Sequence, residues 1–155
     1  MRKLTVSLAT LGLAACGLAV PATAHASSGC AAEWNYYGRD GYVRAWDGYN
    51  CSGLYLGNDV GSDPDWGDSY GEFKGADANR ASSVMNNGYV GGKDVVAFYY
   101  YTQYDDSAYG CLKPGEKYVD DLSRDWFTNI VTMDNEIASH AWVAASACAP
   151  GSFIS

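Results

Sequence analysis

The chain of 155 residues carries 18 acidic and 10 basic side chains, which give it a formal net charge of −8 at pH 7. This acidic balance repels phosphate backbones and anionic membrane surfaces, and no cluster of Lys and Arg overrides it locally. The composition therefore argues against nucleic-acid binding and against attachment to acidic lipid.

The N-terminal segment, residues 1–26, has the pattern of a cleaved secretory signal. A basic pair precedes an apolar stretch at residues 4–20, small-residue sites follow, and we expect cleavage after Ala26. Residues 13–16 also resemble a bacterial lipobox, in which Cys16 would become a lipidated N-terminus. The stretch is short for a spanning helix, and no later segment approaches its length. We expect a secreted, extracellular protein without a transmembrane segment, and the alternative is a lipoprotein anchored through Cys16.

The remaining residues, 27–155, are expected to form one domain with two disulfides. Cleavage leaves eight basic and 18 acidic groups, a formal charge of −10, together with four of the five cysteines. An even number of cysteines in an oxidising compartment is typical of disulfides, and a metal-thiolate site is disfavoured because the chain lacks a Cys-x-x-Cys spacing. Three pairings are possible. The internal repeat described below favours one bridge in each half, Cys30 with Cys51 and Cys111 with Cys148.

Short strands dominate the predicted elements of the first half, since no stretch keeps an apolar helical period without a break. A long loop with a helical turn around Trp66 is predicted at Gly57–Gly71, and the turn Asn87–Gly88 follows the third strand. The predicted strands are Tyr42–Trp46, Leu54–Leu56, Val84–Asn86 and a continuation at Tyr89–Val90.

The second half repeats this order. Asp94–Tyr101 is a run of β-branched and aromatic residues that predicts a strand, and a polar loop follows it. Further strands are predicted at Gly110–Leu112, Trp126–Val131 and Ser139–Val143.

A weak internal sequence repeat relates the two halves of the chain. Residues 78–83 read Ala-Asn-Arg-Ala-Ser-Ser, and residues 134–139 read Asp-Asn-Glu-Ile-Ala-Ser, at an offset of 56. Aligning Gly53 with Gly110 gives an offset of 57, so the copies are expected to differ by one residue. Such a repeat predicts two copies of one supersecondary unit packed together. The alternative is two unrelated hairpins that share a Ser-rich turn.

A family resemblance follows from these residues. Residues 46–53, Trp-Asp-Gly-Tyr-Asn-Cys-Ser-Gly, resemble the βγ-crystallin Greek-key signature of two spaced aromatic residues and a glycine, although Cys51 takes the second aromatic position. In the second copy Tyr104 and Tyr109 are correctly spaced, but Gly110 comes one residue early. With its signal, the chain resembles a secreted bacterial peptidase-inhibitor family that has a βγ-crystallin fold and is associated with thermolysin-like metalloproteinases. The resemblance covers about residues 41–143.

The resemblance implies an all-β, βγ-crystallin-like sandwich of two antiparallel sheets with about eight short strands. One Greek key would span about residues 41–90 and the other about residues 94–143. Each Greek key would contribute strands to both sheets.

The resemblance also implies peptidase inhibition, with an extracellular metalloproteinase as the partner. Inhibitors of that family present the reactive bond in a loop closed by two cysteines a few residues apart, whereas Cys30 and Cys51 are 21 residues apart. A rigid loop would have to come from Gly57–Gly71 or Thr102–Ala108, because ordering a floppy loop on binding weakens affinity. The reactive bond and the target protease stay unassigned.

Calcium binding is a second implication. The two six-residue segments, 78–83 and 134–139, are here called the hexamers. In calcium-binding βγ-crystallins, the first residues of one hexamer and the fifth residue of the other together complete a calcium site. We expect no other cofactor to be required. The defects in the two copies leave one such site, and the counterpart would pair Ala78 with Ala138 and should be inactive. The candidate ligands are Asp134, Asn135, Glu136 and Ser82. The alternative is a purely structural hexamer, since the final Ser83 and Ser139 would satisfy backbone groups with or without metal.

The sequence does not contain the residue patterns that other catalytic or metal-binding functions require. His140 has no partner at ligand spacing and is interpreted as an ordinary strand residue, and no hydrolase or phosphate-loop motif occurs. The pairs Asp105–Asp106 and Asp120–Asp121 are interpreted as solvated loop charges. The 13 Tyr and 5 Trp raise the alternative of glycan binding, against the simpler interpretation that the rings build the core. We therefore expect no enzyme, but an inhibitor-like protein or a calcium- or glycan-binding extracellular module.

Overall fold

The computed structural model describes residues 29–155. The predicted signal and Cys16 lie outside the described residues. Within them, no helix is long and apolar enough to cross a membrane. The elements, in chain order, are α1 (Cys30–Tyr37), β1 (Val43–Gly48), β2 (Ser52–Asp59), β3 (Ser83–Asn86), β4 (Val95–Tyr99), β5 (Tyr109–Leu112), β6 (Tyr118–Val119) and β7 (Ser139–Val143). Four single 3-10 turns complete them, at Tyr49–Cys51, Leu122–Arg124, Ala145–Ala147 and Pro150–Ser152.

The strands form two antiparallel sheets, with strand orders β2-β1-β3-β6 and β5-β4-β7. Strand β6 belongs to the second half but pairs with β3 of the first, and Asp63 of the first half forms a bridge with His140 in β7. Each half therefore contributes to both sheets, as the Greek-key prediction requires. The all-β, βγ-crystallin-like sandwich is confirmed, with seven strands in residues 29–155 and the bridge at Asp63 in the eighth position.

The core lies between the sheets, because alternate strand positions point to the same face. Val43 and Val84 from one sheet and Phe98 and Leu112 from the other are fully buried in it. The rings of Trp66 and Phe73, from the connection between β2 and β3, fill the same core.

Both favoured disulfides are present, Cys30–Cys51 and Cys111–Cys148. The first connects α1 to the corner between β1 and β2, and the second connects β5 to the C-terminal segment. Each closes a chain loop of 21 or 37 residues and so restricts the unfolded chain.

The two halves are related by a pseudo-twofold axis that passes between the hexamers. The amide of Asn79 donates to the carbonyl of Ile137 at 2.8 Å, and the amide of Asn135 donates to the carbonyl of Ala81 at 2.9 Å. These bonds are equivalent at an offset of 56 residues. A second equivalent pair connects Trp66 with Ala138 and Leu122 with Ser82, again by amide-to-carbonyl bonds.

The hairpins follow a different offset, which corrects the sequence alignment. Ala45 is opposite Gly57 between β1 and β2, and Phe98 is opposite Gly110 between β4 and β5, so Gly110 corresponds to Gly57 and not to Gly53. The stretch from β2 to the Asp63 bridge and the equivalent stretch from β5 to β6 therefore differ in length by three residues, not by one. The extra residues lie in the turn before β6.

Several local predictions were wrong. Trp126–Val131 is a turn, and Tyr89 and Val90 are exposed outside any strand. By contrast, a turn is present around Trp66, where the Asp68 amide donates to the Asp65 carbonyl at 3.3 Å. Helix α1 and strand β6 were not predicted. Helix α1 has no strong apolar face, and its contacts with the rest of the fold include the disulfide at Cys30, the packing of Trp34 and the ring of Tyr37 under Arg44.

Candidate functional site

The first loop predicted to present a reactive bond, Gly57–Gly71, is fastened to the second sheet. Asp63 and His140 exchange two backbone hydrogen bonds of 3.0 Å. The ring of Trp66 is fully buried and is stacked on Phe73 at 4.0 Å between centroids. Most of this loop is therefore part of the sandwich and does not protrude as an inhibitory loop would.

The second predicted loop, Thr102–Ala108, folds back onto the protein. The amide of Gln103 donates to the carbonyl of Pro64 at 2.7 Å, and the amide of Tyr100 donates to that of Ala108 at 3.0 Å. The ring of Tyr104 packs against Tyr99 at 6.0 Å. This segment is a corner between β4 and β5 that these contacts hold to the sandwich, while most of its residues are exposed.

A third segment, residues 126–132 and here called the contact turn, is also mostly exposed. Trp126 and Thr132 form an isolated β-bridge at its base. Inside it, the amide of Phe127 donates to the carbonyl of Val131, and the amide of Ile130 donates to that of Phe127, both at 2.9 Å. These bonds close the turn before any partner binds.

Two further contacts anchor the contact turn to the sandwich. Phe127 is buried, and its ring meets the ring of Tyr100 edge-on at 5.6 Å. Thr128 and Tyr109 are joined twice, since the Thr128 amide donates to the Tyr109 carbonyl and the Tyr109 amide donates to Thr128 Oγ1. The base of the turn is therefore held by core packing and by the edge of β5.

The tip of the contact turn is apolar and strained. Ile130 at the tip is 87% exposed, and Trp126 at the base is 55% exposed. Ile130 has a φ of 65°, in the left-handed region that β-branched residues avoid because Cβ meets the following carbonyl. Strain at an exposed apolar residue contributes nothing to the core, and strained backbone of this kind clusters at functional sites.

The paired hexamers form the other candidate site. Asp134 Oδ2 accepts hydrogen bonds from the Tyr49 hydroxyl at 3.2 Å and from Asn135 Nδ2 at 2.9 Å. Asp134 Oδ1 is buried and has no hydrogen-bond partner within the described part of the chain. The Asp134 carboxylate raises the pKa of the Tyr49 phenol, because it opposes a second negative charge.

The other predicted calcium ligands lie close in the backbone. Asn135 has a φ of 60° and donates its amide to Ala81, the residue before Ser82, so the structure brings the front of the second hexamer to the fifth position of the first. The amide of Glu136 bonds to Met133, and no side-chain contact joins Glu136 to the other three. Residues 29–155 contain no group of three or more His, Cys, Asp or Glu that could hold a metal ion by themselves. Any site here would depend on backbone and hydroxyl oxygens.

The final serines of the hexamers bond backbone groups, in the positions that the resemblance assigns to them. Ser83 Oγ donates to the Gly48 carbonyl at 2.7 Å and accepts from the Cys51 amide at 2.9 Å. Ser139 Oγ donates to the Tyr101 carbonyl at 2.7 Å. Both side chains are fully buried, so these bonds replace water at the folded corners.

His140 has a more specific environment than the sequence indicated. It is fully buried, and its Nδ1 accepts from Trp66 Nε1 at 2.9 Å, which places the proton on Nε2, 3.2 Å from the Gly61 carbonyl. Burial lowers its pKa to about 4, and the Asp59 carboxylate, 3.8 Å away, opposes this shift. The neutral imidazole is thus a structural bridge between β7 and the loop after β2.

The acidic side chains of the loops show no catalytic pair. Asp105 accepts from the Ser107 amide in a local turn, and Asp120 and Asp121 form ion pairs with Arg124. Asp63 is buried, and burial raises the pKa of its carboxyl, but Oδ1 bonds only the Asp65 amide. These arrangements fit turns and caps.

Comparisons with solved structures show a likeness in fold. No family model matches the chain, and no curated protein matches it. A solved crystal structure of a betagamma-crystallin from an archaeon has 20% sequence identity and a TM-score of 0.44, over 66% of this chain and 96% of the other. A likeness of this size does not carry a ligand or an activity over to the present protein.

Proposed function

We propose that this protein is a secreted, non-catalytic inhibitor of an extracellular metalloproteinase and that it docks through the contact turn. The observation that carries the proposal is the conformation of Ile130, a strained and almost fully exposed aliphatic residue at the tip of a closed turn. The fold gains nothing from this residue. A partner with an apolar pocket would gain affinity from contact with this side chain.

Preorganisation supports the same function. The contact turn is closed by two backbone bonds and anchored by the buried Phe127, so little conformational entropy is lost when a partner immobilises it. Trp126 adds a large exposed ring at the base of the same turn. Large aromatic side chains such as Trp are enriched among the residues that carry most of the affinity at protein interfaces.

The test is a titration of a thermolysin-like metalloproteinase with the purified protein, read as loss of peptide hydrolysis. We expect stoichiometric inhibition by the wild type and a loss of at least about 30-fold in affinity for Ile130→Lys, since a hot-spot residue is worth roughly 2 kcal/mol or more. The matched control is Val90→Lys, which makes the same change at another exposed aliphatic residue, 69% accessible. Absence of inhibition at micromolar excess would remove the proposal, and equal losses in both variants would remove the role of the contact turn.

A calcium-binding module is the second candidate, and the unpartnered Asp134 Oδ1 favours it. A buried carboxylate oxygen without a donor is costly unless a cation or water meets it. Asp134, Asn135 and Ser82 would supply side-chain oxygens together with nearby carbonyls, and calcium accepts such mixed ligands.

Thermal unfolding with and without millimolar calcium tests this candidate, because a ligand that binds only the native state raises Tm. Asp134→Ala should abolish the rise, since it reproduces the Ala78 of the other hexamer. Asp106→Ala, a change at an exposed acid outside the hexamers, should leave the rise intact. An unchanged wild-type Tm would mean that the hexamers are structural only.

A further inference from the structure

A glycine-rich groove lies between the two halves, distinct from the contact turn and from the hexamers. It has a volume of about 430 Å³, which is within the range of small-molecule sites. The loop after β2, the connection between β3 and β4, and strand β7 all contribute to it. Its main lining residues are Gly61, Ser62, Gly88, Tyr89, Lys93 and Trp142.

Two aromatic rings are held in the groove by contact with glycines. A Cβ atom at Gly88 would lie 2.5 Å from the indole ring of Trp142, and one at Gly41 would lie 3.0 Å from the ring of Tyr89. Any larger residue would displace these rings. The ring of Tyr89 is 68% exposed and therefore offers a face to a ligand.

Polar groups complement the rings. Ser62 Oγ accepts the Trp142 amide at 3.1 Å, which leaves its own proton available to a ligand. Lys93 forms no ion pair in residues 29–155. Trp142 Nε1 is buried without a hydrogen-bond partner in the same part of the chain.

We propose that this groove binds a gluco-configured pyranose at the end of an oligosaccharide. An all-equatorial pyranose has a flat apolar face for the ring of Tyr89 and a rim of hydroxyls for Ser62, Lys93 and the peptide groups of the glycines. A purely apolar ligand would leave these polar groups unpaired, which costs free energy. The overall negative charge disfavours polyanionic ligands.

The inference is independent of protease inhibition, because none of its residues belongs to the contact turn. Its test is a titration of the ¹⁵N-labelled protein with cellotriose and with chitotriose, followed by the amide signals of Gly61, Gly88 and Gly91. We expect these signals to shift at millimolar sugar, and the two sugars distinguish a plain from an N-acetylated source. Sorbitol, which has hydroxyls but no ring face, should not shift them.

The matched variants are Tyr89→Ala and Tyr70→Ala, since both tyrosines are strongly exposed and only Tyr89 lines the groove. Tyr89→Ala should weaken binding by about tenfold, the effect of losing one aromatic contact, and Tyr70→Ala should leave it unchanged. No shift with either sugar up to about 10 mM would overturn the proposal. Equal shifts with sorbitol, or undiminished binding by Tyr89→Ala, would overturn it as well.

Discussion

The two halves of the sandwich use the same connection differently. Residues 70–76 and 126–132 occupy equivalent chain positions, because the offset of 56 residues holds from Asp63 to Ser83. In the first half, glycines at positions 71 and 75 take the left-handed conformations. In the second half Ile130 takes one, at the position equivalent to Lys74, which does not have a positive φ. The fold therefore closes this connection without an exposed aliphatic residue, and the difference points to a role in binding for the second half.

The anchoring of the two connections differs in the same way. Trp66 and His140 fasten the first by a buried hydrogen bond, and the residues at the equivalent positions, Leu122 and Val84, are buried and apolar. The first half thus has a polar lock and the second half has hydrophobic packing. The polar lock therefore contains a histidine that can titrate.

The largest expected effect is the pH dependence of that lock. The folded-state pKa of His140 is lowered to about 4, below the ordinary value of 6.5, so its contribution to stability is complete above pH 6.5 and is lost as pH falls towards 4. The loss amounts to roughly 3 kcal/mol. The carboxyl groups of Asp59 and Asp63 lie in the same region as His140. The raised pKa of Asp63 changes stability in the opposite direction, because protonation of Asp63 as pH falls favours the folded state.

Urea unfolding of the wild type and of His140→Gln at pH 7 and pH 4.5 measures this effect. The glutamine variant keeps a donor and an acceptor but does not titrate, so its stability should change much less between the two conditions. The carboxylate contributions are common to both proteins. Parallel pH profiles would show that the lock is not the source of the dependence.

A smaller effect is expected from the two hexamer serines. Ser83→Ala removes two bonds and leaves a buried amide without an acceptor, and it should cost about 2 to 3 kcal/mol of unfolding free energy. Ser139→Ala removes the one bond to Tyr101 and should cost about 1 to 2 kcal/mol. Chemical denaturation of both variants compares the two halves directly. A larger loss of unfolding free energy for Ser139→Ala than for Ser83→Ala would contradict the view that Ser83 contributes more to stability.

The smallest effect should have the opposite sign. Ile130→Gly relieves left-handed strain at the contact turn and should stabilise the protein by roughly 0.5 kcal/mol, after the greater entropy of glycine in the unfolded chain is offset. Val60→Gly is the control, because Val60 is also exposed but has no positive φ, and there the glycine should destabilise. A destabilised Ile130→Gly variant would mean that Ile130 contributes to the fold.

Much of the sandwich could be predicted from the sequence, because its strands contain β-branched and aromatic residues whose successive positions point to opposite faces. The bounds predicted for β7, Ser139–Val143, are those observed, and the echo of the hexamers indicated the duplication. Strand β6 was missed because two residues between turn signals carry no periodicity.

The candidate site was predicted poorly for a different reason. Trp126–Val131 has the composition of a strand, and its closure depends on bonds to β5 and on the packing of Phe127 against Tyr100. The role of His140 depends on Trp66, 74 residues away. Tertiary contacts of this range leave no local pattern.

Hydrogen–deuterium exchange of the protein alone and in complex with a catalytically inactive thermolysin-like metalloproteinase tests the division between the halves most directly. If the contact turn is the docking element, amides at 127–131 become protected in the complex, and those of the equivalent connection at 70–76 keep their exchange rates. Protection at 57–71 or at 70–76, with the contact turn unchanged, would contradict the account.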